Sequence, residues 1–353
     1  MKIAPLMAAQ EQCDGVEPIL VHTGQHYDRR MSETFFSQLG IPAPEVNLGV
    51  GSASHAAQTA AIMKAFEPVV IARDPAAVLV VGDVNSTIAC ALVAVKLGVR
   101  VVHVEAGLRS FDRTMPEEIN RLLTDAVSDL LFCTEQSGVA NLAAEGIGAA
   151  GRQGVFLVGN VMIDTLLANK PKADASGILD ELHLTEGGYA VLTLHRPANV
   201  DSAGALEGIL DALEVIQRDM PIVFPVHPRT RENLARTGQG KRAEAMANLR
   251  LIDPAGYIDF LRLVSSAGLV LTDSGGIQEE TTFLKVPCLT LRDNTERPVT
   301  VEIGSNQVVG TKAESIIAGY RRAAGGKQRE SQIPPLWDGH AAERIVEILQ
   351  EKL

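Results

Sequence analysis

The sequence predicts an α/β protein of two doubly wound domains, and three features support this prediction. Short apolar runs rich in Val, Leu and Ile recur along the chain without alternating polar residues, which is typical of parallel strands buried on both faces. Segments with helical patterns separate these runs. A polar stretch at residues 168–177 divides the runs into two series, which indicates a linker between domains.

The predicted strands follow in chain order. The first series is PILVHTG, AAVLVVGD, VRVVHVEAG, DLLFCTE and GVFLVGN, and the second is YAVLTLHR, PIVFPVH, LRLIDP, GLVLTDSGG, VPCLTLRD and NQVVG. Helices are predicted over residues 51–73 and 85–97. A chain of 353 residues is longer than one hydrophobic core usually supports. We therefore expect domains at 1–168 and 169–336, and a final helix at 337–353 that packs back on the first domain.

Composition excludes several classes of protein. The formal net charge is -11 and no basic block offsets it, which argues against a binder of nucleic acid or of membrane surfaces. The four cysteines are scattered without a CxxC pair, which is typical of reduced thiols in a cytoplasmic protein. No apolar run approaches the length of a membrane span. Metal-ligand spacings are absent from the sequence, so we expect no metal.

Polar and ionisable residues follow the predicted strands, where the ligands of doubly wound folds bind. One such strand end can be explained by packing, but their recurrence predicts a ligand site. An anionic ligand would need a locally positive pocket in this acidic chain. The strand ends are HTGQH, GDVNST, HVEAGLR, TLHRP, PVHPR, TDSGG and LRDNTERP.

The motif TDSGGIQEE ends a strand and opens a helix. Gly275 and Gly276 allow backbone N–H groups to approach a ligand, and a helix N-terminus favours phosphate. The alternative is a tight turn with Ser274 as the N-cap. Glu280 lies one turn into this helix, where it can bond a ribose or remain a solvated surface residue.

Two acids directly follow strands. Asp83 in GDVNST is either a proton donor or acceptor in catalysis, or part of a helix cap. Glu105 follows VVHV, so it faces a crevice or is buried, and a buried carboxylate must be paired. Arg109 and Arg113 are the expected partners.

Glu117 has a simple structural interpretation. Thr114 and Glu117 match the capping box S/T-x-x-E. Glu117 and Arg121 also have the i,i+4 spacing of a surface pair. A catalytic role for Glu117 is compatible with both.

Three histidines, His26, His195 and His227, each close an apolar strand. They are either buried structural residues or hydrogen-bonding partners of a phosphate or sugar. Arg297 in TERP offers a fixed positive charge suited to a diphosphate. The stretch GVGSAS lacks the third glycine of a dinucleotide fingerprint.

Together these motifs resemble, in order, those of the non-hydrolysing UDP-N-acetylglucosamine 2-epimerases. The motifs are HTGQH, GDVNST, HVEAGLR, PEEINR, TLHRPANVD, PVHPR, TDSGGIQEE and TERP. The resemblance covers essentially the whole chain and implies the GT-B fold, two Rossmann-like domains with a cleft between them. It implies interconversion of UDP-N-acetylglucosamine (UDP-GlcNAc) and UDP-N-acetylmannosamine (UDP-ManNAc), by anti elimination of UDP to 2-acetamidoglucal and re-addition. No cofactor is implied.

The resemblance also carries residue roles onto this sequence. It implies that Asp83, Glu105 and Glu117 are catalytic carboxylates and that His195 acts with them. The order of acid and base among the carboxylates stays open. The residues it implies for substrate binding are Lys2, Gln25, His26, Arg109, Arg121, Arg196, His227, Ser274, Gly275, Gly276, Glu280 and Arg297.

Further expectations come from the same resemblance. They are a homodimer, a second UDP-GlcNAc bound as an allosteric activator near Gln25 and His26, and a role in surface polysaccharide synthesis. Family chains begin with a strand and a GTRPE loop that have no counterpart before Lys2. We expect this to expose neighbouring strands as edges, and to leave the chain less stable and less active than a version extended upstream.

Other functions remain open at this stage. Pro197 and Ala198 replace a pair that is charged in many family members, and Val299 replaces an acid, which allows a modified substrate such as a UDP-diacetamido uronic acid. A GT-B glycosyltransferase would use the same nucleotide pocket without three opposing carboxylates. A hydrolysing epimerase would release free sugar, and a UDP-sugar-binding protein would not turn over.

Overall fold

The computed structural model describes residues 1–13, 15–24, 36–149, 151, 153–325 and 330–353. The chain divides into two compact units, the first formed by Met1–Thr165 with Pro335–Leu353 and the second by Leu166–Pro334. All strand pairings among the described residues are parallel. The predicted α/β class is therefore confirmed.

The first unit contains two parallel sheets, one of two strands in the order β1-β2 and one of four in the order β3-β4-β5-β6. The strands are β1 (Val21–His22), β2 (Val46–Asn47), β3 (Ala77–Val81), β4 (Arg100–Val104), β5 (Leu130–Cys133) and β6 (Gly154–Leu157). Helix α1 (Ile3–Gln10) precedes these strands, and the helices that follow are α2 (His55–Arg73), α3 (Asn85–Lys96), α4 (Pro116–Val127) and α5 (Gln136–Ala144). Helix α6 (Val161–Asp174) begins in the first unit and ends in the second.

The second unit contains one six-stranded parallel sheet in the order β12-β11-β10-β7-β8-β9. Its strands are β7 (Ala190–Thr193), β8 (Ile222–Pro225), β9 (Leu249–Ile252), β10 (Leu269–Thr272), β11 (Cys288–Thr290) and β12 (Asn306–Val308). Its helices are α7 (Ile178–Glu181), α8 (Pro197–Val200), α9 (Ala203–Ile216), α10 (Pro228–Arg236), α11 (Gln239–Glu244), α12 (Tyr257–Ser265), α13 (Gly275–Leu284), α14 (Pro298–Glu302) and α15 (Ala313–Ala324).

The strand order of the second unit reverses between β7 and β10. Thr193 at the end of β7 is in register with Thr272 at the end of β10, and their hydroxyl oxygens are 2.6 Å apart. His195 and Ser274, each two residues further on, therefore emerge at the same edge of the sheet. In doubly wound sheets this reversal is where ligands bind.

Two predicted segments differ locally from the structure. The helix predicted from residue 51 begins at His55, because the Ser54 side chain accepts from the Ala57 N–H and caps it. The stretch 168–177, predicted as a linker, is helical as far as Asp174. Ala173 within it is fully buried, so packing stabilises a helix that its polar composition did not indicate.

The final helix, α16 (Ala341–Lys352), belongs to the first unit. Its apolar face packs in one cluster with α1 and strands β4 and β5, and includes Ala341, Ile345 and Leu349. Asp164 on α6 caps it, because its carboxylate accepts from the Ala342 N–H at 2.7 Å. In the described part of the chain, no helix is long and apolar enough to span a membrane.

We predict that Asp164→Ala lowers the free energy of unfolding by about 1–2 kcal/mol, the usual cost of losing a helix N-cap. The substitution leaves the buried N–H groups of Ala341 and Ala342 without their acceptor. Urea denaturation followed by circular dichroism measures the change. Glu343→Gln is the matched control, because Glu343 lies in the first turn of the same helix and is exposed. An equal effect of the two substitutions would contradict this account of Asp164.

Candidate active site

Asp83 and Glu105 follow neighbouring strands, since Val81 at the end of β3 is in register with Val104 at the end of β4. Glu105 is 2% exposed and has a φ of 72°, a left-handed conformation that is uncommon for residues other than glycine. A Cβ on Gly82 would lie 3.1 Å from Glu105 Oε2. Because glycine has no Cβ, position 82 leaves room for the Glu105 carboxylate.

The Glu105 carboxylate forms an ion pair with Lys2 Nζ, so two residues predicted for the site lie together. The expected partner Arg109 lies elsewhere. Its guanidinium binds Asp125 Oδ2 at 2.7 Å and both carboxylate oxygens of Glu145 at 2.7 Å. The predicted pairing of Glu105 with Arg109 is therefore wrong, and the contacts of Arg109 are structural.

A buried guanidinium, that of Arg121, connects Asp83 after β3 to Glu118 on α4. Arg121, 1% exposed, forms ion pairs with Asp83 and, at 2.6 Å, with Glu118. The capping interpretation of Asp83 is wrong, because Val84 is the N-cap of α3 and makes no side-chain cap bond. Arg121 holds the Asp83 carboxylate instead, and leaves 27% of the Asp83 side chain exposed.

Sequence reasoning missed Glu118. Its carboxylate accepts from the backbone N–H groups of Ser110 and Phe111, both at 2.9 Å, and from the Ser110 hydroxyl. Burial opposes ionisation, but these donors and Arg121 outweigh it and lower the Glu118 pKa. Glu118 thus fixes the loop after β4 to α4. The i,i+3 spacing from Glu118 to Arg121 was the available signal.

The capping-box interpretation of Glu117 is also wrong. The N-cap of α4 is Met115, without a side-chain cap bond, and the Thr114 hydroxyl donates to Asp112 Oδ1 at 2.6 Å. Glu117 is half-buried and has no ion-pair partner among the described residues. Its carboxylate differs in this respect from those of Asp83 and Glu105, which each face a cation.

In the second unit, Asp273 orients His195. Its carboxylate accepts from the backbone N–H groups of His195 at 3.1 Å and Arg196 at 3.0 Å, and lies 2.8 Å from His195 Nδ1. Asp273 is fully buried, which opposes ionisation, but the contact with His195 and the backbone donors outweigh burial and lower its pKa. Nε2 of the half-exposed imidazole is the nitrogen left for a ligand. Sequence reasoning missed Asp273.

Ser274 occupies the predicted N-cap position of α13, although its side chain makes no cap bond. A Cβ on Gly275 would lie 2.6 Å from Glu296 Oε1. Glycine at position 275 therefore lets the start of α13 approach this carboxylate without displacing it. The helix start is thereby placed beside a cluster of charged side chains.

That cluster contains three arginines and two glutamates. Arg297 binds Glu279 at 2.6 Å and Glu296 at 3.5 Å, while Arg292 and Arg196 lie 2.7 and 3.7 Å from Glu296. Burial opposes ionisation of Glu296, but Arg297 and Arg292 outweigh it and lower its pKa. The cluster places three guanidinium groups beside the start of α13, and guanidinium groups suit an anionic ligand such as a diphosphate.

Glu280 on α13 is buried with one oxygen available. The Tyr257 hydroxyl donates to Oε1 at 3.1 Å, whereas Oε2 has no hydrogen-bond partner within the described residues. Burial raises the pKa of Glu280 to about 7. A buried acceptor without a donor is costly, so this oxygen suits a ligand that carries a hydroxyl.

The remaining predicted site residues are placed as follows. His227 is the N-cap of α10, and its Nδ1 accepts from the Arg229 N–H at 3.3 Å. Gln25 and His26 lie outside the described residues.

Comparison with known proteins identifies related sequences and structures. The family model for UDP-N-acetylglucosamine 2-epimerase matches residues 8–350. A protein of Methanococcus maripaludis described as a UDP-N-acetylglucosamine 2-epimerase homolog is 43% identical over 352 residues, covering 99% of this chain and 96% of that protein. A UDP-2,3-diacetamido-2,3-dideoxy-D-glucuronate 2-epimerase of Pseudomonas aeruginosa is 42% identical over 333 residues, covering 94% and 90%.

A solved structure is also similar over nearly the whole chain. It is the crystal structure of Methanocaldococcus jannaschii UDP-GlcNAc 2-epimerase in complex with UDP-GlcNAc and UDP. The TM-score is 0.92 at 41% identity, and the match covers 99% of this chain and 96% of that one.

Glu280→Gln is predicted to make stability less dependent on pH. With a folded-state pKa of about 7 against an ordinary value near 4.3, the wild-type protein loses stability as pH rises from about 4 to 7. The loss is on the order of 3 kcal/mol. The neutral amide has no such loss, so the variant gains in melting temperature relative to wild type between pH 5 and pH 8. The same difference in melting temperature between variant and wild type at pH 5 and at pH 8 would contradict the account of Glu280 as a buried carboxyl group.

Proposed function

The chain belongs to the UDP-N-acetylglucosamine 2-epimerase family, and we propose that it inverts C2 of UDP-GlcNAc through elimination and re-addition of UDP. The product is UDP-ManNAc. The match to a solved epimerase at a TM-score of 0.92 supports a GT-B-type fold of two α/β domains. The observation that carries the proposed mechanism concerns three acids, Asp83, Glu105 and Glu117. Asp83 and Glu105 each pair with a cation, and Glu117 does not among the described residues.

The chemistry explains why unequal acids are useful. The C2 hydrogen is weakly acidic, so its removal must be coupled to departure of UDP from C1, and protonation on the other face needs a second acid. Asp83 and Glu105 each face a cation, Arg121 and Lys2, whereas Glu117 has none among the described residues. The three acids therefore have different charged partners, which suits a reaction that needs both a base and an acid.

The second unit supplies groups suited to UDP. The N-terminus of α13, preceded by Ser274 and opened by Gly275 and Gly276, favours phosphate. The arginines around Arg297 would stabilise charge that collects on the leaving diphosphate. The free oxygen of Glu280 would accept from a ribose hydroxyl.

His195 completes the proposed machinery. Because Asp273 holds Nδ1, the imidazole presents Nε2 in a fixed orientation. We assign it to hydrogen bonding with the diphosphate as UDP leaves and returns. Arg196 and His227 are proposed as further substrate contacts.

A second candidate substrate is the UDP-diacetamido uronic acid. The Pseudomonas aeruginosa relative that acts on such a sugar is 42% identical to this chain, almost as similar as the Methanococcus maripaludis relative. Comparing kcat/KM for the two UDP-sugars decides between them. We expect UDP-GlcNAc to be the better substrate.

The wider biological setting is proposed from the family resemblance. We place the enzyme in the cytoplasm, in surface polysaccharide synthesis, as a homodimer with domains at 1–168 and 169–336. We also propose a second UDP-GlcNAc as an activator near Gln25 and His26. Size-exclusion chromatography with light scattering tests the dimer, and substrate-dependence curves test activation.

Product analysis tests the proposed function. The protein is incubated with UDP-GlcNAc and the products are separated by anion-exchange chromatography and identified by proton NMR. We expect UDP-ManNAc. Free N-acetylmannosamine with UDP would instead indicate a hydrolysing enzyme, and ligand-induced stabilisation without products would indicate a binding protein.

Glu117→Gln is predicted to lower kcat by about 10²–10⁴-fold, the usual contribution of a general acid or base. UDP binding should be unchanged, because the proposed nucleotide contacts lie in the second unit. Steady-state kinetics and calorimetric titration with UDP measure the two quantities. Glu67→Gln, an exposed acid of the same unit, is the control and should retain wild-type kcat. A Glu117→Gln enzyme with wild-type kcat would exclude Glu117 from proton transfer.

A further inference from the structure

A buried histidine and aspartate contact the loops that follow β3 and β4, where Asp83 and Glu105 lie. His103 on β4 and Asp125 on α4 are both fully buried, and His103 Nδ1 lies 2.6 Å from Asp125 Oδ1. We propose that His103 and Asp125 are positioning residues that tie together the strand ends carrying Asp83 and Glu105. This inference rests on the proposed roles of those two acids.

Both ring nitrogens of His103 face acceptors. Nδ1 faces the Asp125 carboxylate, and Nε2 lies 2.9 Å from the backbone carbonyl oxygen of Gly82. A neutral imidazole carries one N–H and would direct a lone pair at one of these oxygens. Asp125 is paired with Arg109, and the charges and hydrogen bonds of His103 and Arg109 outweigh burial and lower the Asp125 pKa. Against an ionised Asp125, only a doubly protonated ring can donate to both oxygens.

The surroundings of His103 agree with this charge. Burial lowers the His103 pKa, but the charge and hydrogen bond of Asp125, the Gly82 carbonyl and the charge of Glu105 outweigh burial and raise it. The imidazolium thus lies among two carboxylates and a carbonyl. A protein interior tolerates a buried cation when opposite charges pair with it and its N–H groups are all hydrogen-bonded.

The His103 bond to Gly82 constrains the first strand end. Gly82 directly precedes Asp83, and a Cβ at position 82 would lie 3.1 Å from Glu105 Oε2. Holding the Gly82 carbonyl therefore fixes the backbone on which Asp83 is carried. It also fixes the surface against which the Glu105 carboxylate packs.

Asp125 constrains the second strand end. While Oδ1 faces His103, Oδ2 accepts from the Gly107 N–H at 3.1 Å and from Arg109 Nη1 at 2.7 Å. Gly107 lies two residues after Glu105, whose φ of 72° is unfavourable. Glu145 holds the other side of Arg109. The strained turn is thus held by a chain of charged groups that does not itself carry the reacting protons.

Asp125→Asn is the sharpest test because the amide has only one acceptor oxygen. Its NH₂ must face either His103 or the donors of Gly107 and Arg109, so one set of contacts is lost. The matched control for this substitution is Asp129→Asn. Asp129 accepts from the Val101 N–H at 2.8 Å, at the opposite end of the same strand. His103→Gln and the milder Glu145→Gln provide further variants should Asp125→Asn fail to fold.

Two measurements are made on the wild-type protein and the variants, at temperatures well below their melting temperatures so that all are folded. Nitrogen-15 NMR of the histidine rings should show both His103 nitrogens protonated in wild type above the ordinary imidazole pKa of about 6.5. Asp125→Asn should change this signature. In kinetics, we expect kcat to fall about a hundredfold, the scale of misplacing a reacting group, while UDP affinity stays at the wild-type value. Asp129→Asn should retain wild-type kcat.

The outcomes separate this inference from the proposed function. A neutral His103 in wild type would overturn the inference, as would wild-type kcat in folded Asp125→Asn or His103→Gln. Equal losses of kcat in Asp125→Asn and Asp129→Asn would also overturn the inference, because His103 and Asp125 would then have only a general stabilising role. Failure of the proposed function would be seen in the wild-type protein, as absence of UDP-sugar turnover with the imidazolium signature intact.

Discussion

The parallel pairing of adjacent strands is the constraint on which both halves of the proposed machinery depend. Because β3 and β4 end in register, Asp83 and Glu105 emerge beside one another. The register of β7 and β10 does the same for His195 and Ser274. A shift of one residue in either pair would turn the following side chains away from their partners. Strand register therefore decides which motifs, far apart in sequence, can act together.

Buried charged side chains then convert these strand ends into fixed geometry. Arg121 connects Asp83 to Glu118, and Glu118 in turn holds the loop after β4 by two backbone N–H groups. Asp273 holds His195 in the same way in the second unit. Removing one member of such a pair leaves an uncompensated buried charge. Substituting Arg121, Glu118 or Asp273 is therefore expected to disturb the group that it holds.

Much of this could be predicted from sequence, and the failures have a physical cause. Continuous apolar runs indicated parallel strands, and the residues after them indicated a candidate site, because both predictions follow from local pattern. The capping interpretation of Asp83 failed because a tertiary partner, Arg121, holds its carboxylate. The capping box of Glu117 failed because the Thr114 hydroxyl bonds Asp112 instead. Asp273, Glu118 and Asp125 were missed because their importance depends on which backbone N–H groups face them, and that is set by packing.

The most direct test of the mechanism is proton NMR of the reaction of UDP-GlcNAc in D₂O. The central claim is that C2 loses its hydrogen to a carboxylate and regains one from solvent-exchangeable acid on the other face. The account predicts deuterium at C2 of UDP-ManNAc from the first turnovers, and its later appearance in UDP-GlcNAc. UDP-ManNAc formed with its original C2 hydrogen would contradict the account, because inversion would then proceed without proton abstraction.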